Sequence, residues 1–427
     1  MGNQYILRGV ETTLKQIIPP LKFLKKPSFW AFFGSGLIVS VAYMDPGNWG
    51  TSISGGAQYG YKLLWVVWMA SIMAMLFQYL SGKLGIAGYS LAEMIKIKWK
   101  DKRLVFGYWL LAEFAILATD MAEFLGIVVA LHLLFKVPYF IGTIFAMVDV
   151  LLLLVLTRNK FRILEYAFIV FVSVIGFGYV YEIFLAKPDF GAVAAASVTP
   201  FLDGQTILIA VGIIGATVMP HALFVHSWLL KEKRKLFNVS QETAMKYHIY
   251  ENTFSLIIAG FINAAILIMA AAAFFNIGTP VATIEDAYKT LTPLFGQLAS
   301  IVFAVALLAA GISSSITGVL SGQSIMEALT DFKLSPMMRR LITRIINIIP
   351  LMIALLLNIE PLQILVYSQV VLSLLIPVPL IPLLYYTAKK DVMGSLANRP
   401  LTTIVAVIFG IVILCFNAFL LYSTFFA

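Results

Sequence analysis

The hydrophobic positions of this chain fall into long continuous runs that are separated by short polar segments. A run of about 20 apolar residues is long enough to cross a bilayer as a helix. Eleven such runs can be placed along the chain, so we predict eleven membrane-spanning helices. The predicted spans are residues 30–58, 63–85, 104–134, 138–157, 163–185, 204–230, 248–275, 297–325, 338–358, 361–387 and 400–425.

Two of these runs, the first and the sixth, are interrupted near the middle. Asp45-Pro-Gly-Asn48 interrupts the first run and Met219-Pro-His221 interrupts the sixth. Proline removes a backbone donor and clashes with the preceding turn, and unwound backbone inside a membrane is tolerated only where it is buried in protein or lines a cavity. We therefore predict two broken helices that build one binding site. The alternative is an ordinary Asp-Pro-Gly-Asn turn between two interfacial pieces, but neither half of the first run reaches the length of a span.

The composition is that of a polytopic membrane protein. Of 427 residues, 61% are hydrophobic and 12% are charged, and the mean hydropathy is +0.93. Soluble domains carry about 25% charged residues. The single cysteine, Cys415, excludes an intrachain disulfide and a multi-cysteine metal site. The net charge of +9 is not arranged as a basic groove with interleaved aromatic residues, so nucleic acid is not an expected partner.

The positions of the basic residues test the placement of the spans. Cytoplasmic loops collect lysine and arginine. With the N-terminus in the cytoplasm, 26 of the 30 basic residues fall on the inner side, and only Lys62, Lys136, Lys187 and Lys289 fall outside. We predict a multi-pass protein of the plasma (inner) membrane with a cytoplasmic N-terminus and an extracytoplasmic C-terminus. Residues 1–28 lack the apolar core of a signal peptide and predict a cytoplasmic arm.

The residues at the two breaks have the chemistry of cation ligands. Asp45 supplies a carboxylate and Asn48 an amide oxygen, which suit divalent cations such as Mn²⁺. Pro220 frees carbonyl groups of the preceding turn, near Ala216 and Thr217. Met219 offers a thioether, a soft ligand from which Mg²⁺ and Ca²⁺ gain little. A methionine in a membrane span is usually core filler, but its position at the break favours a ligand.

The two breaks occupy corresponding positions in two halves of the chain. They lie 174 residues and five spans apart, as an inverted repeat of five plus five helices requires. The predicted fold class is therefore an all-α integral membrane protein with two repeats, residues 29–187 and 204–387. An eleventh helix follows at residues 400–425.

A further set of ionisable residues lies inside the predicted membrane. Glu113, Asp120 and Glu123 share one face of the third span, and carboxylates at this depth are costly unless they are functional. His221 and His226 are five residues apart, which is not the spacing of a chelating pair. Histidine titrates near physiological pH and can exchange protons with carboxylates. We therefore assign the three acidic residues and the two histidines to a proton pathway. The alternative for each is a hydrogen bond that serves packing alone.

Several motifs resemble the Nramp family of divalent metal transporters, in particular its bacterial proton-coupled manganese branch. They are Asp45-Pro-Gly-Asn-Trp49, Gly-Gly-Ala-Gln-Tyr-Gly-Tyr-Lys-Leu-Leu-Trp at 55–65, Gly-Ala-Thr-Val-Met-Pro-His at 215–221, and His226-Ser227. The resemblance covers essentially all eleven spans and implies a LeuT-like fold. Ala222 and Val225 depart from the family pattern, as does Ile-Pro-Val-Pro at 376–379.

The resemblance also implies roles for individual residues. The metal would be held by Asp45, Asn48, the carbonyl of Ala216 and the sulfur of Met219, while Asp120 and Glu123 would carry protons toward the cytoplasm. Further family positions are Gln369, as an additional ligand or part of the outer gate, and Arg344, as a partner of the acidic route. Among the amides that we expect to be buried in the spans, Gln58 is assigned to a gate.

These features together predict a secondary transporter, functional as a monomer, that imports Mn²⁺ by proton symport and alternating access. Fe²⁺ and other transition-metal divalent cations are expected further substrates, and no cofactor is expected. A sodium-coupled organic-solute carrier is the main alternative, but it leaves Met219 without a role. An intramembrane metalloenzyme is disfavoured because the chain has no His-Glu-x-x-His motif. A channel is a third alternative, which an asymmetric enclosed site disfavours.

Overall fold

The computed structural model describes residues 35–146, 161–275, 283–330, 332 and 334–426, and these residues form helices and connecting turns without a strand. The predicted N-terminal arm therefore lies outside the described residues, as does most of the fourth predicted span. The described helices, in chain order, are α1 (Ser35–Ala42), α2 (Pro46–Tyr59), α3 (Leu64–Ala87), α4 (Leu91–Lys98), α5 (Lys102–Phe135), α6 (Tyr139–Ala146), α7 (Phe161–Ala186), α8 (Phe190–Val198), α9 (Ile207–Val218), α10 (Pro220–Phe237), α11 (Gln241–Ala270), α12 (Ile284–Phe295), α13 (Gln297–Leu329), α14 (Pro336–Leu356), α15 (Pro361–Leu375), α16 (Pro377–Ala388), α17 (Lys390–Met393) and α18 (Pro400–Phe425).

Within this described part, seven helical segments are long and apolar enough to cross a membrane. An eighth is added if Val170–Ala186 and Phe190–Val198, which are bent by 118° at the break between them, count as one span. The all-helical membrane architecture is thus confirmed, whereas the count of eleven spans and the boundaries of the two repeats stay predictions.

The first predicted break is present where the sequence places it. Helix α1 ends at Ala42, and α2 begins at Pro46 with Asp45 as its N-cap. The Oδ1 atom of Asp45 accepts a hydrogen bond from the backbone N–H of Asn48 at 2.8 Å. A proline in the first helical turn costs nothing, because its missing N–H would have no intrahelical partner there. The local sequence therefore both ends α1 and starts α2.

The second predicted break is a single residue wide. Met219 joins α9 to α10 with φ 43° and ψ 100°, a conformation that a long L side chain rarely adopts. Backbone strain of this kind costs about 1–3 kcal/mol and persists where surrounding structure enforces it, commonly at functional sites. The strain lies at the residue that the sequence predicts to be a ligand.

A third interruption is not predicted from the sequence. The tenth span divides at Ile376 into α15 and α16. Pro377 has no N–H to donate to the carbonyl of Ser373, and that carbonyl instead accepts from the N–H of Ile376 at 3.2 Å. The Ile-Pro-Val-Pro segment thus interrupts the regular hydrogen bonds of the helix whose first half, α15, packs beside both predicted breaks.

Short helices also form between the spans. The loop helix α4 starts with a capping box in which Ser90 and Glu93 each accept a backbone hydrogen bond from the other residue. Helices α8 and α12 begin at the capping residues Asp189 and Thr283. The polar segments that separate the apolar runs are therefore structured in the described part of the chain.

Candidate functional site

The two broken helices meet at Asn48. Its Nδ2 atom donates to Asp45 Oδ1 at 2.8 Å and to the carbonyl oxygen of Ala216 at 2.9 Å. That carbonyl would accept from residue 220 in an unbroken helix, but residue 220 is proline. The predicted release of a carbonyl by Pro220 is therefore present, and it connects α2 to α9.

Asn48 presents its NH₂ group, and not its oxygen, to the other candidate ligands. Its Oδ1 atom accepts from the Thr217 hydroxyl and from Asn263 Nδ2, each at 3.2 Å. The partly positive NH₂ thus lies between a carboxylate oxygen and a carbonyl oxygen, where a bound cation would make the same contacts. For Asn48 to ligate a metal through Oδ1, its amide has to turn by half a rotation, and Asn263 and Thr217 have to exchange donor and acceptor roles.

Gln369 of α15 borders the same group of residues. A Cβ built on Gly47 would lie 2.9 Å from Asp45 Oδ2 and would overlap the Gln369 side chain. Gln369 is fully buried, and its Nε2 atom donates to the Ser368 hydroxyl at 3.1 Å. The structure therefore places Gln369 next to Asp45, and Met219 is buried three residues beyond Ala216.

Several buried oxygen atoms around this group accept no hydrogen bond within the described residues. They are Asp45 Oδ2, Gln369 Oε1 and Asn263 Oδ1. A buried acceptor without a partner is costly, so these three oxygens are available to an ordered water or to a bound cation. Carboxylate and amide oxygens, a backbone carbonyl and a thioether are together a donor set for a divalent transition metal.

The backbone of α9 lies against α15 at Gly215. A Cβ on Gly215 would lie 2.7 Å from the backbone nitrogen of Ser373 and closer still to the carbonyl oxygen of Gln369. Only glycine permits this approach, because the obstacle is backbone that cannot rotate away. This close packing fixes the position of Gln369 along α15 relative to Ala216, the residue that follows Gly215.

We expect Gly215→Ala to destabilise the protein by about 1–3 kcal/mol, the usual cost of overpacking. The midpoint of thermal unfolding in detergent measures it. Gly107→Ala in α5 is the matched control, because a Cβ there meets no atom within 4 Å, and alanine is favoured over glycine in a helix by up to about 1 kcal/mol. An equal midpoint for the two variants would show that α9 and α15 can separate freely at Gly215.

The carboxylates predicted for the third span line one face of α5, as expected, and they meet arginines of α14. Asp120 Oδ1 accepts from Arg340 Nη1 at 2.6 Å, and both side chains are buried. Glu113 pairs with Arg339. Glu123 is fully buried, and neither of its carboxylate oxygens has a hydrogen-bond partner in the described part of the structure.

Arg344 contacts the acidic route at the backbone of Asp120. It donates to the backbone carbonyl of Asp120 at 3.3 Å and to the Ser315 hydroxyl at 2.9 Å, and its guanidinium lies 4.6 Å from the centre of the Phe124 ring. The carboxylate partner of Asp120 is Arg340, which sequence reasoning missed. A signal was available, since Arg340 and Arg344 are four residues apart and share one helix face.

The two histidines of α10 belong to separate hydrogen-bond networks. His221 Nδ1 lies 3.1 Å from the Thr119 hydroxyl, which itself donates to the Ala115 carbonyl. With its proton directed at Ala115, the Thr119 oxygen is free to accept a proton from His221 Nδ1, and Nε2 has no hydrogen-bond partner within the described residues. Thr119 precedes Asp120 in α5, so His221 connects the second helix break to the acidic face.

His226 reaches a different part of the molecule. Its Nδ1 atom lies 2.7 Å from Gln78 Oε1, and Gln78 Nε2 donates to the Tyr43 hydroxyl at 2.8 Å. Its ring lies 5.1 Å from that of His248 of α11. Within the described residues no hydrogen bond joins His226 to the acids of α5, so its assignment to their pathway gains no geometric support. Gln78, Tyr43 and His248 were not predicted.

One expectation is wrong. Gln58, predicted to be buried in the first span, is exposed. The continuously buried part of α2 ends at Gly56, and Gln58 lies in the last turn of the helix. Its assignment to a gate therefore lacks the burial on which it was based.

Comparison with known proteins agrees with these features. Residues 36–423 match the family model Nramp, described as natural resistance-associated macrophage protein-like. A divalent metal cation transporter MntH of Verminephrobacter eiseniae is 44% identical, over 92% of this chain and 89% of that protein. The MntH protein of Deinococcus radiodurans is 42% identical, with the same coverage of both chains.

Solved structures share the fold. A manganese transporter of Eremococcus coleocola, in complex with an aromatic bis-isothiourea compound, is 34% identical and has a TM-score of 0.84, covering 95% of this chain and 89% of that one. The nucleobase-cation-symport-1 family transporter Mhp1 is 13% identical with a TM-score of 0.53, which shows a common fold alone. From the match along nearly its whole length, the chain belongs to the Nramp family.

Proposed function

We propose that this membrane protein, a divalent metal cation transporter, imports Mn²⁺ by proton symport. The observation that carries the proposal is the joining of Asp45, Asn48 and the freed Ala216 carbonyl at two broken helices, with the strained Met219 between α9 and α10. The four are the proposed metal ligands, and Gln369 is proposed to complete the set. Its relatives named as divalent metal cation and manganese transporters support this assignment.

The proposed ligand set is suited to a cation that the transporter binds and then releases. Among the described residues no three His, Cys, Asp or Glu side chains lie together as a potential metal cluster. Asp45 is thus the one charged member of the proposed set, and uncharged donors supply the rest. A site with few charged ligands binds a divalent cation more weakly than one with several carboxylates. Fe²⁺ accepts the same donors and is a proposed second substrate.

Proton coupling is proposed for the acidic face of α5. Asp120 is held in an ion pair with Arg340, whereas Glu123 is buried without a hydrogen-bond partner in the described structure. A Cβ on Gly318 would lie 3.0 Å from Glu123 Oε2 and 3.1 Å from Asp120 Oδ1, so both carboxylates lie against α13 at this glycine. Glu123 is the proposed proton acceptor, and His221, bonded to Thr119, is the proposed link from the metal site.

We further propose that the protein works as a monomer in the inner membrane, with its N-terminus in the cytoplasm.

The experiment that tests this function measures Mn²⁺ and Ca²⁺ flux into proteoliposomes while internal pH is followed. For Met219→Ala we expect the preference for Mn²⁺ over Ca²⁺ to fall by about tenfold, because a metal–thioether contact worth about 1.4 kcal/mol changes an equilibrium constant tenfold. Met352→Ala in α14 is the control methionine variant. An unchanged Mn²⁺ preference in Met219→Ala would exclude the thioether as the selectivity element.

The same vesicles report coupling. For the wild type we expect the interior to acidify as Mn²⁺ enters. Mn²⁺ entry without acidification would contradict proton symport but would not contradict the proposed metal ligands. Uptake that requires external Na⁺ and an organic solute would instead favour the alternative carrier class, for which the shared fold with Mhp1 is the single supporting observation.

A further inference from the structure

A groove lies far from the metal site, where the second half of the tenth span ends beside the loop helix α4. Its volume is about 730 Å³. Its lining combines apolar, aromatic and charged side chains, among them Lys98, Trp99, Ile381, Tyr385, Lys389 and Asp391. Nothing in the proposed transport mechanism uses these residues, so the groove needs its own explanation.

The wall contributed by α16 changes from apolar to cationic along its length. Ile381, Tyr385 and Lys389 follow each other at intervals of four residues and so lie on one side of the helix. Ile381 is 61% exposed and Tyr385 is 57% exposed. Since α16 ends at Ala388, Lys389 lies just beyond the end of the tenth predicted span, residues 361–387. Its Nζ atom lies 4.9 Å from the centre of the Tyr385 ring. A tyrosine followed by a lysine at this depth is typical of a membrane interface.

The opposite wall supplies a second cation. Lys98, at the end of α4, lies 3.6 Å from Asp391 in a loose ion pair, with side chains 43% and 66% exposed. Because both groups are hydrated, the pair is weak and Lys98 is able to contact another anion. The negative charge of Asp391 cancels the charge of one of the two lysines, Lys98 and Lys389. The side chains that line the groove therefore carry a net positive charge.

We propose that this groove binds an anionic glycerophospholipid. The lipid phosphate lies between the Lys98 and Lys389 ammonium groups, and an acyl chain follows the exposed side of Ile381 and Tyr385. Basic pockets beside membrane helices on the cytoplasmic side are suited to such headgroups. A free phosphate would use only the charged end of the groove. The basic N-terminal arm carries the same sign of charge as the groove and is not its occupant.

A lipid in this position connects two parts of the transporter. Lys98 belongs to the loop helix between the second and third predicted spans, and Lys389 follows α16, which packs against α10 beyond the second break. A bound headgroup therefore bridges the loop helix α4 to α16, and through α16 to α10. The inference stands on the groove and does not depend on the proposed substrate.

Native mass spectrometry of the purified full-length protein tests the proposal. The protein is given equal amounts of phosphatidylglycerol and phosphatidylcholine with identical acyl chains, and we expect preferential retention of phosphatidylglycerol. In Lys98→Gln and Lys389→Gln its retention should fall about fivefold each, the effect of one basic residue near an anionic lipid. Asp391→Asn should raise retention by about the same factor. Lys246→Gln, an exposed lysine of α11 paired with Glu242, is the matched control and should change nothing.

Several results would overturn the proposal. Equal retention of the two lipids, or unchanged retention in the double variant Lys98→Gln/Lys389→Gln, would show that the lysines do not select the headgroup. Reduced retention in Asp391→Asn would contradict the sign of the charge argument. Displacement of phosphatidylglycerol by a tenfold excess of soluble glycerol phosphate would identify a free-phosphate site in place of a lipid site.

Discussion

Replacing Asp45 with asparagine is expected to reduce Mn²⁺ uptake by about 100-fold or more. Asp45 is the one formal negative charge in the proposed ligand set, and its Oδ2 atom is buried without a hydrogen-bond partner among the described residues. Removing one member of a buried charge pair typically costs about 2–5 kcal/mol of binding, and the bound metal would be the other member. Uptake into proteoliposomes, followed with an entrapped metal indicator, measures the loss.

This substitution separates the charge of Asp45 from its structural role. Asparagine is as good an N-cap as aspartate, so it can still accept the hydrogen bond from the Asn48 N–H that starts α2. We therefore expect the unfolding midpoint to change little while uptake is lost. Asp203→Asn is the matched control, because Asp203 likewise accepts from a backbone N–H three residues ahead, that of Thr206, at 2.8 Å. Uptake by Asp45→Asn above a third of the wild-type rate would contradict the assignment of Asp45 as the charged ligand.

The two helix breaks that carry the proposed metal ligands were predictable because their signals are local. A proline and an aspartate inside an apolar run mark a break, whichever neighbours the helix has. Met219-Pro220 likewise identifies both the break and the freed carbonyl of Ala216. In a helix that carbonyl accepts from the N–H four residues later, and Pro220 has no N–H. Sequence reasoning therefore located both α1–α2 and α9–α10 correctly.

What the sequence could not give is the orientation of groups across helices. Asn48 was predicted through its oxygen, but its NH₂ faces Asp45 and Ala216, because Thr217 and Asn263 both donate to that oxygen. Asn263 is 215 residues away in the chain. Hydrogen-bond polarity between distant segments depends on tertiary packing that no local pattern encodes.

The same reason explains one detail of the acidic route and the wrong expectation for Gln58. Arg340 and Arg344 are equivalent by charge and depth, and only the packing of α14 against α5 decides that Arg340 reaches the Asp120 carboxylate. Gln58 shares an apolar run with buried residues, but it lies on a side of the last turn of α2 that no other helix covers, although Gly60 and Leu63 soon after it are buried. Hydrophobicity predicts a span and does not predict which of its turns are covered by protein.

Removing Arg340 is expected to destabilise the protein by about 3–5 kcal/mol, since loss of one partner leaves a buried charge uncompensated. In Arg340→Met the Asp120 carboxylate keeps its burial and loses its 2.6 Å partner. The double variant Asp120→Asn/Arg340→Met removes both charges and should recover most of the lost stability, because replacing an entire buried ion pair is often nearly neutral. Chemical denaturation in detergent, followed by tryptophan fluorescence, gives the free energies for the cycle.

The control for this cycle is Arg103→Met, at the exposed start of α5, where we expect a change within about 0.5 kcal/mol. The double variant also tests whether the ion pair serves transport. If Asp120 and Arg340 only support packing, proteoliposomes with the double variant should acidify during Mn²⁺ entry as the wild type does. If the pair holds Glu123 and His221 in a working proton route, Mn²⁺ should enter with little acidification although the protein is folded. Equal instability of the single and double variants would show that Arg340 stabilises the bundle through contacts other than Asp120, the Ser315 hydroxyl being the first to examine.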